Sequence, residues 1–101
     1  MKDPERAILT IIKNRFAVFG THSTYRTIVA DFRNAYPNWN VRESTIERIV
    51  RKLAQEELIV RRYLSPKEVI FLPRVDPDTL TNYWNSLNRK VYKEEDNNNI
   101  R

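Results

Sequence analysis

Residues 41–59 read VRESTIERIVRKLAQEELI. Ile46, Ile49, Val50 and Leu53 recur at i, i+3, i+4 and i+7, so a helix gathers them into one stripe that faces a core. The other side carries Ser44, Arg48, Arg51, Lys52 and Gln55. Hydroxyls, an amide and long cations opposite a buried stripe match the edge chemistry of a nucleic-acid groove, and they suit plain solvent equally. What flanks the stretch has to decide between the two.

Upstream, Asp3-Pro4-Glu5 combines a capping side chain, a proline where no N–H is needed and a carboxylate near the positive end of the helix dipole. Ala7, Ile8, Ile11, Ile12 and Phe16 then follow at helical spacing, and Gly20 is free to close the helix in the left-handed conformation. A first helix is expected over 4–19. After the polar connection Thr21-His22-Ser23-Thr24, Tyr25, Ile28, Val29 and Phe32 repeat the helical pattern until Pro37 interrupts it, giving a second helix over 24–36. Trp39, in the turn that follows, is expected to plug the core between helices. Asn40 with Glu43 fits a capping box for the third helix, and Arg42 or Ser44 are alternative starts.

Downstream, the period changes from helical to extended. Residues 58–64, LIVRRYL, are rich in β-branched and aromatic types, Ser65-Pro66-Lys67 is a turn signal, and 68–72, EVIFL, is a second strand closed by Pro73. Asp76-Pro77-Asp78 repeats the device at residue 3 and opens a last helix with the stripe Leu80, Tyr83, Trp84, Leu87 and Val91. Residues 94–101, EEDNNNIR, have almost nothing to bury and are expected to be disordered.

With 101 residues the chain is expected to form one modest core. The formal charge is +5. Residues 1–75 hold fourteen Lys/Arg against eight Asp/Glu, while 76–101 hold four against five, so the basic character belongs to the first three quarters. That balance favours an anionic partner. There is no cysteine, hence no disulfide framework, thiol nucleophile or cysteine-bound metal, and an intracellular, cytoplasmic location is allowed. No apolar run approaches the ~18 residues of a membrane span, and no signal-peptide core stands at the N-terminus.

Helix, helix, short turn, helix and hairpin is an order that resembles a winged helix-turn-helix domain. In many such regulators the third helix runs as an apolar residue, two variable positions, Ser-Thr, an aliphatic, one residue, Arg, two aliphatics, two polar residues, Leu, three polar residues, Gly and Leu-Ile. Val41, Ser44, Thr45, Ile46, Arg48, Ile49, Val50, Leu53, Leu58 and Ile59 fall on that pattern without a gap. Glu57 departs from it, standing where the family has the glycine that ends the helix. The size, terminal helix and composition are similar to compact regulators of archaea and of their viruses.

The resemblance implies an α+β, mostly helical fold: a winged-helix domain over 1–75, a dimerising helix over 76–93 and a tail over 94–101. It implies a sequence-specific regulator of double-stranded DNA, held as a homodimer and associated with DNA in the cytoplasm. The third helix would enter the major groove through Arg42, Ser44, Thr45, Arg48, Arg51 and Lys52. The wing residues Arg61, Arg62 and Lys67 would meet the flanking backbone, as would Ser23, Thr24 and Arg26 at the start of the second helix. Leu80, Tyr83, Trp84, Leu87 and Val91 would form the dimer interface. Rival readings are a winged helix that binds protein instead, and a nonspecific chromatin- or RNA-binding protein. His22, the only histidine, lacks companions at metal-ligand spacing and reads as a turn residue. No catalytic motif, metal, cofactor, small-molecule ligand or membrane partner is expected.

Overall fold

The computed structural model describes residues 3–87; Val91 and the 94–101 tail lie outside the described residues. Five elements follow in order: α1 (Pro4–Phe19), α2 (Tyr25–Ala35), α3 (Glu43–Gln55), β1 (Ile59–Ser65) and β2 (Glu68–Pro73). A fourth helix, α4, occupies 77–87 of the described residues. Four helices and a two-stranded antiparallel hairpin make an α+β fold consistent with a winged helix.

The helix ends follow their capping chemistry. Asp3 Oδ1 accepts from the Glu5 and Arg6 N–H groups at 3.1 and 3.2 Å, ahead of Pro4. At the other end of α1, Gly20 takes φ 66° and donates its N–H to Phe16 O. Thr24 and Thr27 close a reciprocal capping box on α2. Asp76 repeats the role of Asp3, its carboxylate accepting from Thr79 N–H and Oγ1–H at 3.0 and 2.7 Å. These bonds hold the Asp76 carboxyl below its ordinary pKa.

Of the starts expected for α3, the structure takes the one at Arg42. Neither Asn40 nor Glu43 builds a capping box; the helix begins after Arg42, in extended conformation, with no side-chain cap. Its attachment comes from packing. Ile46, Ile49, Val50 and Leu53 are all buried, as the spacing predicts, against Ala7, Ile8, Ile11 and Ile12 of α1 and Ile28, Val29 and Phe32 of α2. Trp39 packs on this core as expected, its ring 5.2 Å from that of Phe32 and 5.4 Å from that of Tyr36.

The end of α3 settles the question raised by Glu57. Leu58 N–H reaches Leu53 O and Glu57 N–H reaches Ala54 O, the paired bonds that close a helix through a left-handed residue. That residue is Glu57, at φ 60°, the one non-glycine residue with positive φ among those described. The turn keeps the geometry that glycine ordinarily supplies, and β1 runs from Ile59 to Ser65, one residue later than the expected 58–64.

β1 and β2 pair antiparallel, with Ile59 opposite Pro73, Arg61 opposite Phe71 and Tyr63 opposite Val69; the ladder shifts between Tyr63 and Ser65. A feature without a sequence signal completes the sheet. Ser23 exchanges both backbone hydrogen bonds with Phe71, at 2.9 and 2.7 Å, on the edge of β2 that β1 leaves free. β2 is thereby paired on both edges, and its residues Ile70, Phe71, Leu72 and Pro73 are buried in succession rather than in alternation.

A Glu57→Gly substitution follows directly. A left-handed non-glycine residue costs ~1–2 kcal/mol, against ~0.5–1 kcal/mol of added chain entropy for glycine, leaving a net gain of about 1 kcal/mol. Thermal unfolding of the variant should show Tm raised by roughly 4–8 °C. An unchanged or lowered Tm would mean that Glu57 makes compensating contacts.

Candidate nucleic-acid interface

With its stripe buried, α3 turns a fixed side outward. Arg42, Ser44, Arg48, Arg51 and Lys52 are exposed and Thr45 is partly so. Glu47 lies four residues before Arg51 on the same helix, and a solvated face would be expected to pair the two. It does not. Among the described residues the ion pairs are Arg15–Asp31 and Lys52–Glu5, and neither Arg48 nor Arg51 has a hydrogen-bonding partner. Their guanidiniums, each a rigid fork of donors, therefore face solvent uncompensated.

Lys52 differs from its neighbours. Its Nζ contacts both carboxylate oxygens of Glu5, at 3.2 and 3.0 Å, tying α3 to the first turn of α1. The Glu5 hydrogen bonds, and then the Glu5 charge, raise its pKa. Half of its side chain stays exposed, but its charge is already met.

On the hairpin, Arg61, Arg62 and Lys67 are exposed as expected. Between the last turn of α3 and the outer side of β1 runs a cleft of about 370 Å³, lined by Ala54, Glu57, Ile59, Val60, Arg61, Arg62 and Arg74. Arg74 is absent from the residues expected on sequence grounds. It follows the strand-closing Pro73, and the antiparallel return of β2 brings it beside the end of α3, where its Nη1 donates to Glu57 O at 3.1 Å. Three arginines thus line one concave surface.

The start of α2 requires corrections. Ser23 is only 1% exposed, because its backbone is paired to Phe71 inside the fold, so its hydroxyl cannot reach an external phosphate. That hydroxyl has no hydrogen-bonding partner. The Thr24 hydroxyl accepts from Thr27 N–H at 3.2 Å, and the Thr24 N–H is held by Thr27 Oγ1 at 2.8 Å, so the capping chemistry is closed on itself. Of the three residues expected here, Arg26 stays exposed.

Tyr83, expected at an interface between subunits, makes contacts within its own chain: its hydroxyl accepts from His22 N–H at 2.9 Å and meets His22 Nδ1 at 2.7 Å, and its ring stands edge-on to Phe16 at 5.4 Å. The helix that carries it folds back on its own chain. Leu80, Trp84 and Leu87 are partly buried, and Val91 lies outside the described residues. Large apolar exposure appears elsewhere: Val18 and Phe19, at the end of α1, are 70% and 71% exposed. They border a groove of about 220 Å³ shared with Ile11, Ala35 and the Arg15–Asp31 pair.

The chain matches no known protein family, no curated protein and no solved structure. Among the described residues no group of three or more His, Cys, Asp or Glu is placed to hold a metal ion, and no helix is long and apolar enough to cross a membrane.

Burial, and then the positive charge of Arg15, hold the His22 imidazole below its ordinary pKa of 6.5. The unfolded chain therefore binds a proton that the folded chain refuses, and stability falls as pH drops from about 6.5 through the folded-state value. As His22 is the only histidine and carboxylates titrate near 4, Tm should decline between pH 7 and pH 5 in the native protein. In His22→Gln that decline should vanish. Equal slopes in the two proteins would place the titrating group elsewhere.

Proposed function

We propose that this protein binds double-stranded DNA sequence-specifically and acts as a transcriptional regulator, with α3 in the major groove and the hairpin along the flanking backbone. The observation that carries the proposal is that, among the described residues, the Arg48 and Arg51 side chains have no ion-pair partner, although Glu47 stands one helical turn before Arg51. Leaving guanidiniums free beside carboxylates keeps their donor forks available to an external acceptor. Arg48, with Ser44 and Thr45, occupies the turns that would face base edges, where a guanidinium meets guanine O6 and N7 bidentately. Arg42, Arg51, Arg61, Arg62, Lys67 and Arg74 are the phosphate partners, and Lys52, held by Glu5, is at most a minor one.

The protein-binding alternative has its own support in the exposure of Val18 and Phe19. It predicts that the outer side of α3 is dispensable. Homodimerisation stays part of the proposal, but Tyr83, engaged by His22, does not contribute to it.

A salt titration of duplex binding separates the readings. These six cations on phosphate give a log–log slope of about −5 per protomer. Arg48→Ala should cost about 1–3 kcal/mol of discrimination among sequences, whereas Arg62→Ala should weaken all duplexes alike and reduce the slope by about one. Absence of duplex binding at low salt would sink the DNA reading and leave the α1 groove as the functional surface.

A further inference from the structure

The tip of the hairpin combines features that phosphate contact alone does not require. Tyr63 and Leu64 are 56% and 41% exposed, side by side in a segment otherwise made of Arg61, Arg62, Ser65, Pro66 and Lys67. A hairpin that only laid cations along a backbone would need polar residues there. Its strand ladder is also interrupted at this point: Tyr63 pairs with Val69 and Ser65 with Glu68, so Leu64 has no partner across the sheet. A bulge of this kind bends a strand and re-aims the extra residue's side chain. The bond from Ser65 Oγ to Glu68 Oε1, at 3.3 Å, ties the two strands together immediately beyond it.

We infer that this tip is an apolar wedge for the minor groove of DNA, an inference that rests on the DNA-binding reading above. Leu64, backed by Tyr63 and Pro66, enters between two base pairs and partly unstacks them, while Arg61, Arg62 and Lys67 hold the phosphates on either side. Apolar side chains inserted at a base step kink the duplex toward the major groove, the side that α3 would occupy. The step that opens most easily is pyrimidine–purine, so the wedge adds a preference for TA or CA/TG at a position where no base edge is read.

Two other surfaces accept an exposed tyrosine and leucine among cations: an anionic membrane and an acidic protein. The arginine-lined cleft favours DNA over both. It is concave, and Arg61 and Arg62 belong to the cleft as well as to the hairpin that bears the tip. A phosphodiester strand can follow such a surface from helix to tip, whereas a flat bilayer meets only the tip. Two apolar side chains also form a small patch for a protein interface, which centres on a larger desolvated cluster.

The test uses the full chain with mixed-sequence duplexes of 25 base pairs, carrying 2-aminopurine at a single TA step or within an A-tract and dyes at the two ends. At low salt the native protein should shorten the end-to-end distance and raise 2-aminopurine fluorescence at the TA step more than in the A-tract. Leu64→Ala, a change at an exposed position that leaves the core intact, should still bind the duplex but lose both signals. Arg62→Ala should bind more weakly and, at saturation, keep both. Binding without bending, or a fluorescence rise that survives Leu64→Ala, overturns the wedge while the DNA-binding reading stands. Failure of the native protein to bind any duplex overturns both. Leu64-dependent binding to phosphatidylserine vesicles that duplex does not compete away assigns the tip to a membrane surface and likewise overturns the wedge.

Discussion

Ser23 and Phe71 exchange two backbone hydrogen bonds, and much of the molecule's arrangement depends on that pair. They fix the connection between α1 and α2 to the edge of β2. With Ser23 on one side and β1 on the other, β2 becomes the central strand, and its apolar run Ile70-Phe71-Leu72 is buried on both faces. β1 is left as the outer strand, so Arg61 and Arg62 face the cleft beside α3. The same connection sets Thr24 as the cap of α2 and places His22 where Tyr83 of α4 can bond it. Breaking one of two buried backbone bonds leaves its partner group unsatisfied, at ~1–3 kcal/mol.

Charge placement follows from this frame. Lys52 and Glu5 join α3 to α1, and Arg15 and Asp31 join α1 to α2, with two contacts at 2.9 and 3.1 Å. These pairs draw cations into the scaffold. The arginines of the outer α3 face are not drawn in, although carboxylates stand on the same helix. On the hairpin side, Arg61 and Arg62 line the cleft together with Arg74. A surface pairing is worth little, about 0–1 kcal/mol, so leaving Arg48 and Arg51 unpaired costs the fold little and keeps them available.

How much of this was legible in the sequence varies with the range of the interaction concerned. Helix positions and the α3 stripe follow from local spacing and caps: Asp3, Gly20 and the Ile46, Ile49, Val50, Leu53 pattern stand where they were expected. The hairpin was equally readable from its β-branched runs and the Ser65-Pro66-Lys67 turn. Ser23 was not, because a hydroxyl before a helix looks the same whether it caps, binds phosphate or is buried by a bridge to a distant strand. The bond of Tyr83 to His22 was not legible for a related reason: a helical stripe has the same period whether it meets its own chain or a second copy. Arg74 has no local signal, since only the return of β2 carries it to the end of α3. Glu57 is the intermediate case. Its position in the pattern pointed to a left-handed turn, and its identity argued against one; the paired hydrogen bonds of the helix end outweighed the strain.

The central claim is that the outer side of α3, together with the hairpin, is where duplex DNA is met. Amide chemical shifts of the isotope-labelled protein, followed while a mixed-sequence 20-base-pair duplex is added at low salt, report on it most directly. Ser44, Arg48, Arg51 and the segment from Arg61 to Lys67 should move together and saturably, with Val18 and Phe19 unaffected. Shifts confined to the end of α1, or none at any duplex concentration, would contradict it.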